Sequence, residues 1–285
     1  MHRAGDFRDR QRTEVQHLNM SAYPQVAAVV MAGGKNSRFG ELTQAQSKCL
    51  LRLPDNETLL GRLLGQLRLA GISNTVVCCS DENFSSIQSF LCEYGAQAGI
   101  QDGEVEGAAC AKCRAGPLPA LAEALSPVQA EWYLLCLADI VFAAEPFAKA
   151  MAQLSLSDSG TVALGSGLDG LLITGTDSER PDRTGSGFVK CEDRAVRAIS
   201  YKAFGSSNSL DEPCRYWSGA FFFRAGLLSD ARNDPGQHGA APFENWIQQL
   251  LQNGAHCEWT DAGPFFNVNT WKDFEAMRAF RKWNG

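Results

Sequence analysis

Between Met31 and Leu53 the chain reads MAGGKNSRFGELTQAQSKCLLRL. Gly33 and Gly34 follow Ala32, Ser37 and Arg38 come next, and Lys48 stands ten residues beyond Arg38. Glycines let backbone N–H groups approach a phosphate chain closely. An arginine offers a planar fork to phosphate oxygens, and a lysine offers a compact positive charge. Together these residue types suit a triphosphate and the charge of a departing pyrophosphate. The competing reading is a tight strand-to-helix turn with two solvated cations. A second candidate is Asp139, which closes the apolar run WYLLCLAD. A carboxylate at the C-terminal end of a buried strand can hold a hard cation, or it can cap the helix that follows.

The surrounding pattern supplies elements to position these groups. Val26–Met31 is a continuous apolar run that reads as a buried parallel strand. Leu60, Leu63, Leu64 and Leu67 have helical spacing, with Gly71 as a C-terminal stop. Thr75–Cys79 reads as a strand, Ser85–Tyr94 and Leu118–Leu125 as helices, and Trp132–Ala138 as another buried strand. This alternation predicts βαβ units on a parallel sheet. In such a sheet ligands lie beyond the carboxyl ends of the strands, where the glycine-containing loop and Asp139 both fall. The second half changes texture. Gly187–Lys190 and Ala195–Tyr201 read as a strand pair, and Tyr216–Phe223 as a central strand. Phe243–Leu251 reads as a helix, Phe265–Asn269 as a short strand, and Trp271–Trp283 as a closing helix.

Composition excludes several classes. The 285 residues include 26 basic and 32 acidic ones, a formal net charge of −6. That balance argues against a protein held to nucleic acid mainly by phosphate contacts. No apolar run is long enough for a membrane helix, and the N-terminus has no signal-peptide core. Ten cysteines occur. Cys78, Cys79 and Cys136 sit in strand-like runs and read as small buried apolar residues, while Cys110 and Cys113 form a single CxxC without further metal ligands. No disulfide framework is expected, and a reducing cytoplasm is the expected compartment.

The Met31–Leu53 segment resembles the signature of the nucleoside-triphosphate sugar-1-phosphate nucleotidyltransferases, roughly LAGGxGTRLxPLTxxxPKxLLPV. Ala32, Gly33, Gly34, Ser37, Arg38, Leu42, Thr43, Lys48, Leu50 and Leu51 match or nearly match it without a gap. Asn36 stands where the family has glycine, and Glu41, Ser47 and Cys49 stand where it has proline. The resemblance implies Arg38, Lys48 and Asp139 as catalytic residues. It places Ala32, Gly33, Gly34, Ser37 and Gly116 around the nucleotide, the last in GPLPAL, which looks like the family's GTAGAL element. WYLLCLAD is similar to a family strand whose final aspartate holds Mg²⁺. FFNVNT resembles the family's WFDIGTPEDY, with Asn267 on the second metal ligand and Asn269 as its alternative. Ser200-Tyr201-Lys202 falls where the family has Glu-Lys-Pro, so Lys202 would bind the acceptor phosphate, and Gly219 and Glu244 fall near acceptor-binding positions.

The resemblance implies a single three-layer, Rossmann-like α/β domain. Its central sheet would be mixed and mainly parallel, with a smaller antiparallel substrate-binding part. Residues 1–23 are expected to form a mobile tail and residues 24–285 the nucleotidyltransferase domain. The chain ends soon after Trp283, so no C-terminal β-helix domain of the kind some relatives carry is expected. The implied reaction is Mg²⁺-dependent: a nucleoside triphosphate joins a phosphorylated acceptor, by default a sugar 1-phosphate, and pyrophosphate leaves. Neither nucleic acid nor membrane is an expected partner, and self-association stays open. Two alternatives stand beside this reading. One is a cytidylyltransferase acting on phosphocholine or a phosphonate. The other is a non-catalytic module that binds nucleotide or sugar phosphate, suggested by Asn36, Ala138 and Asn267.

Overall fold

A computed structural model describes residues 24–33, 47–97, 108–112, 117–143, 145–158, 167–175, 187–201, 214–229 and 242–279. Its centre is explained by the apolar runs. In β1 (Val26–Met31), Ala28 and Val30 face one apolar cluster, while Ala27 and Val29 face another. A strand covered on both faces needs no polar alternation. β2 (Asn74–Cys79) and β4 (Trp132–Leu137) are buried in the same way and run parallel to β1 on either side. β3 (Ala108–Lys112) extends the parallel half beyond β2.

The helices cover both faces. α1 (Leu59–Leu69), α2 (Asp81–Gln97) and α4 (Pro146–Asp158) pack apolar side chains into the cluster that holds Ala28 and Val30. α3 (Pro117–Leu125) and α5 (Pro242–Gln252) cover the opposite face. The ends of α1 follow from local chemistry. The Thr58 hydroxyl accepts a hydrogen bond from the Gly61 N–H at 2.9 Å. At the other end Gly71 has φ +80°, and Ile72 and Gly71 donate back to the carbonyls of Leu67 and Arg68.

Among the described residues the sheet has nine strands in the order β3-β2-β1-β4-β9-β6-β10-β8-β7. The strands not yet introduced are β6 (Gly170–Gly175), β7 (Phe188–Glu192), β8 (Ala195–Ser200), β9 (Cys214–Arg224) and β10 (Cys257–Asp261). All strands but β9 and β8 run in one direction. β9 is antiparallel to both of its neighbours, β4 and β6, and its first residues also pair with β7. The architecture is therefore α/β with a mixed sheet. β5 (Ile140–Phe142) and β11 (Phe265–Asn267) form a separate antiparallel pair beside the end of β4. α6 (Trp271–Ala279) follows β11.

Several elements differ from the sequence reading. β3, β5, β10 and α4 were not expected. β3 has four small residues followed by Lys112, β5 spans only three positions, and β10 mixes polar and apolar residues. α4 opens with proline and has a weakly segregated apolar face. The closing helix is described to Ala279, and its expected extension to Trp283 lies outside the described residues.

Candidate functional site

The chain order β1, β2, β3 runs to one side of β1, whereas β4 lies on its other side. Beyond the carboxyl ends of β1 and β4 the sheet therefore has a switch point, where loops diverge and leave a crevice. A cleft of about 300 Å³ occupies it. Met31, Ala32 and Gly33 enter from β1, and Leu137, Ala138 and Asp139 from β4. The register aligns Met31 with Leu137, and Ala138 donates its N–H to the Met31 carbonyl at 3.1 Å. Cys78, Ala120 and Phe243 make a more apolar wall.

Lys48 is delivered by a short 3-10 turn, Lys48–Leu50, whose Cys49 and Leu50 are buried. Those two anchors leave the ammonium pointing into the cleft. Lys48 Nζ donates to Asp139 Oδ2 at 2.5 Å, across 91 sequence positions. Both side chains are 17% exposed, so solvent reaches the pair from one side only. Lys48 Nζ also donates to the Val268 carbonyl at 3.4 Å. Burial pushes the Cys49 thiol up to about 11, and the nearby Asp139 carboxylate adds to the effect, so Cys49 stays neutral near pH 7.

Asn267 reaches the site through the β5–β11 pair, which sets it opposite Ile140, the neighbour of Asp139. Val268 donates its N–H to the Asp139 carbonyl at 2.8 Å. Backbone pairing thus brings the Asn267 strand alongside the turn that carries Asp139, while Lys48 and Asp139 themselves line the cleft. Among the described residues no cluster of three histidine, cysteine, aspartate or glutamate side chains forms a metal site. A site with few hard oxygen ligands fits Mg²⁺, which usually keeps waters and takes remaining ligands from substrate phosphates.

The other expected site residues separate into three groups. Ala32 and Gly33 line the cleft. Gly219 and Glu244 are not among the residues that line it. Gly219 has φ +88° and lies under the Leu137–Ile140 turn, where an added Cβ would be 3.0 Å from both side chains. Glu244 is 8% exposed and packs its stem on Gly187. Its carboxyl is raised above the usual carboxylate range by burial. Gly34, Ser37, Arg38, Gly116 and Lys202 lie outside the described residues. So does the CxxC turn at Cys113.

Cys78 corrects one expectation. It is buried, as its strand run suggested, but it is disulfide-bonded, with a partner outside the described side chains. Cys79 and Cys136 are buried thiols as expected. Sequence reasoning gave no binding role to Phe243 or Ala120, because each resembles any other apolar helix position. Only the fold places them at the cleft.

Solved structures share this architecture. A Bacillus anthracis protein assigned as a glucose-1-phosphate thymidylyltransferase matches 91% of this chain and 99% of its own, with TM-score 0.69 and 15% identity. The inositol-1-phosphate CTP transferase of T. maritima matches 90% of this chain and 95% of its own, with TM-score 0.65 and 15% identity. At such identity the likeness speaks for the fold. A search of curated proteins gives no match. The family model for the MobA-like NTP transferase domain matches residues 28–250, from β1 through most of α5. That span includes the cleft, Lys48 and Asp139, and the chain belongs to the MobA-like NTP transferase domain family and is a nucleotidyltransferase.

Proposed function

We propose that the chain transfers a nucleotidyl group from a nucleoside triphosphate to a phosphorylated small molecule, most simply a sugar or polyol phosphate. The observation that carries this reading is the contact of Lys48 with Asp139 in the cleft at the switch point between β1 and β4, with Asn267 on the strand paired to the segment after Asp139. The acceptor class is supported by the sugar and inositol phosphates named for the two structural neighbours. Gly33 adds a further argument. An added Cβ there would make only ordinary contact, 3.4 Å from the Ser80 nitrogen, and the residue has no positive φ. The fold itself does not require glycine at this position, which is consistent with a ligand that approaches the backbone.

In the reaction an acceptor phosphate oxygen attacks the α-phosphorus in line. The new P–O bond forms as the bond to the bridging oxygen of pyrophosphate breaks, and pyrophosphate leaves with that electron pair. The attacking oxygen is already anionic near neutral pH, so no general base is needed. Rate enhancement then comes from positioning and charge stabilisation. Lys48 holds negative charge on the leaving side. Arg38 shares that role, and Lys202 anchors the acceptor phosphate. Asp139 and Asn267 would hold Mg²⁺, which supplies positive charge to the phosphates when bound. The apolar wall of Met31, Cys78 and Phe243 limits water near the reacting groups.

The test is pyrophosphate release with Mg²⁺, pairing each common nucleoside triphosphate with sugar 1-phosphates, inositol 1-phosphate, phosphocholine and aminoethylphosphonate. Release with one pair is expected and identifies both substrates. Lys48→Ala and Asp139→Ala should each lower kcat about a hundredfold or more, with a native circular dichroism spectrum. Normal turnover in either folded variant overturns the assigned roles. Nucleotide binding without release from any pair would favour a non-catalytic module.

A further inference from the structure

The turn that joins β11 to α6 touches both halves of the charged centre. Val268 donates its N–H to the Asp139 carbonyl at 2.8 Å and accepts from Lys48 Nζ at 3.4 Å. Asn267 precedes it, and the Asn267 carbonyl accepts from the Asn269 N–H at 3.1 Å. Residues 267–270 therefore form a tight turn whose place decides where the Asn267 amide and the Val268 carbonyl sit.

Two anchors hold that turn. The Val268 side chain is fully buried, in an apolar cluster with Leu59, Val141 and Phe274. The second anchor is Asp273, in the first turn of α6. Its Oδ2 accepts from the Asn269 N–H at 2.9 Å and from the Thr270 N–H at 2.7 Å. Thr270 Oγ1 in return accepts from the Asp273 N–H at 3.2 Å. This is a reciprocal helix cap extended by one residue towards the site. A helix cap alone needs only the Thr270 and Asp273 N–H groups. The bond to Asn269 reaches back into the turn that carries Asn267.

We propose that Asp273 is a positioning residue for the Lys48–Asp139 centre: its carboxylate clamps Asn269 and Thr270 and so fixes Val268, which bonds both Asp139 and Lys48, and the adjoining Asn267. The inference rests on the functional reading above, in which Asp139 and Asn267 face a divalent cation. Groups that orient metal ligands commonly change metal affinity or activity by about 10–100-fold when removed. Asp273→Ala should therefore weaken cation binding about tenfold. Asp273→Asn should keep most of it, because one amide oxygen can accept both N–H bonds.

The experiment titrates Mn²⁺ into the full chain and reads water-proton relaxation, which needs no turnover and no knowledge of the substrate. Wild-type binding that is lost in Asp139→Asn is expected, together with about tenfold weaker binding in Asp273→Ala and near-wild-type binding in Asp273→Asn. Thermal melts measure the folded fraction of each variant. A cap that only stabilises α6 would lower Tm in Asp273→Ala and leave Mn²⁺ affinity of the folded protein unchanged, which overturns the proposal. Failure of the Asn variant to restore affinity overturns it too. Wild-type binding that is absent, or that survives Asp139→Asn, overturns the functional reading of the cation site itself and the positioning role with it.

Discussion

Lys48 and Asp139 meet because two buried scaffolds deliver them: Cys49 and Leu50 under the lysine, and β4 under the aspartate. Asp139 could be picked out in sequence by its place at the end of an apolar run, and Lys48 by its spacing from Gly33, Gly34 and Arg38. Their direct contact could not, since it spans 91 positions and depends on a turn seated between β1 and β4. Glu244 shows the opposite case. It falls near an acceptor-binding position by resemblance; its side chain is buried and packs on Gly187, and Phe243 beside it lines the cleft. Burial raises the Glu244 carboxyl above the usual range. Such a group favours the folded state below its unfolded pKa, where both states are protonated and no charge is buried. That advantage is lost as pH rises through the folded pKa, because only the unfolded chain hydrates the carboxylate fully. Glu244→Gln should therefore raise Tm relative to wild type at pH 8 and leave it nearly unchanged at pH 4. Equal Tm differences at both pH values would show that the carboxyl is not the cause.

β1, β4 and the Tyr216–Phe223 stretch of β9 were legible because a strand covered on both faces reads as a nearly continuous apolar run. β11 lies within Phe265–Asn269, which read as a short strand, whereas its partner β5 is three residues long, too short for any period to show. The cap by Thr270 and Asp273 could be seen in sequence only as an acidic helix start. Its reach to Asn269 is a property of the folded turn. Within β9 the register shifts, so that Ile173 faces Ala220 while Thr174 faces Trp217. Ser218 and Gly219 form the bulge between them, and the Ser218 hydroxyl donates to the Ile173 carbonyl at 2.7 Å. The positive φ of Gly219 and its closeness to Leu137 and Ile140 place this bulge beneath the turn that presents Asp139. Gly219→Ala should cost about 1–2 kcal/mol from the backbone alone. It should also lower activity more than the lost stability explains, because the Asp139 turn must shift. Melting and pyrophosphate release measured together test this. A stability loss with wild-type kcat would confine Gly219 to folding.

At the scale of the whole molecule, the parallel half and the mixed half share one strand. β9 pairs with β4 along one edge and with β6 along the other, and its start pairs with β7. Its side chains also link the two apolar clusters, with Phe222 in one and Phe221 and Phe223 in the other. The change in texture along the sequence suggested an antiparallel substrate-binding part. Hydropathy alone could not show that its first strand in space, β9, would insert directly beside β4, because strand order is set by long-range pairing. The consequence is mechanical. Loss of β9 removes a pairing edge and buried aromatic side chains from both halves at once. The expected behaviour is one cooperative unfolding transition. Phe222→Ala, which empties a fully buried position in β9, should cost about 3–5 kcal/mol. Hydrogen exchange followed by mass spectrometry across a urea series provides the measurement, with peptides from β1 reporting one half and peptides from β10 the other. Both sets should lose protection at a common midpoint, and Phe222→Ala should lower that midpoint equally for both. Separate midpoints, or a shift confined to β10 peptides, would mean that the halves fold as independent units and that β9 belongs energetically to only one of them.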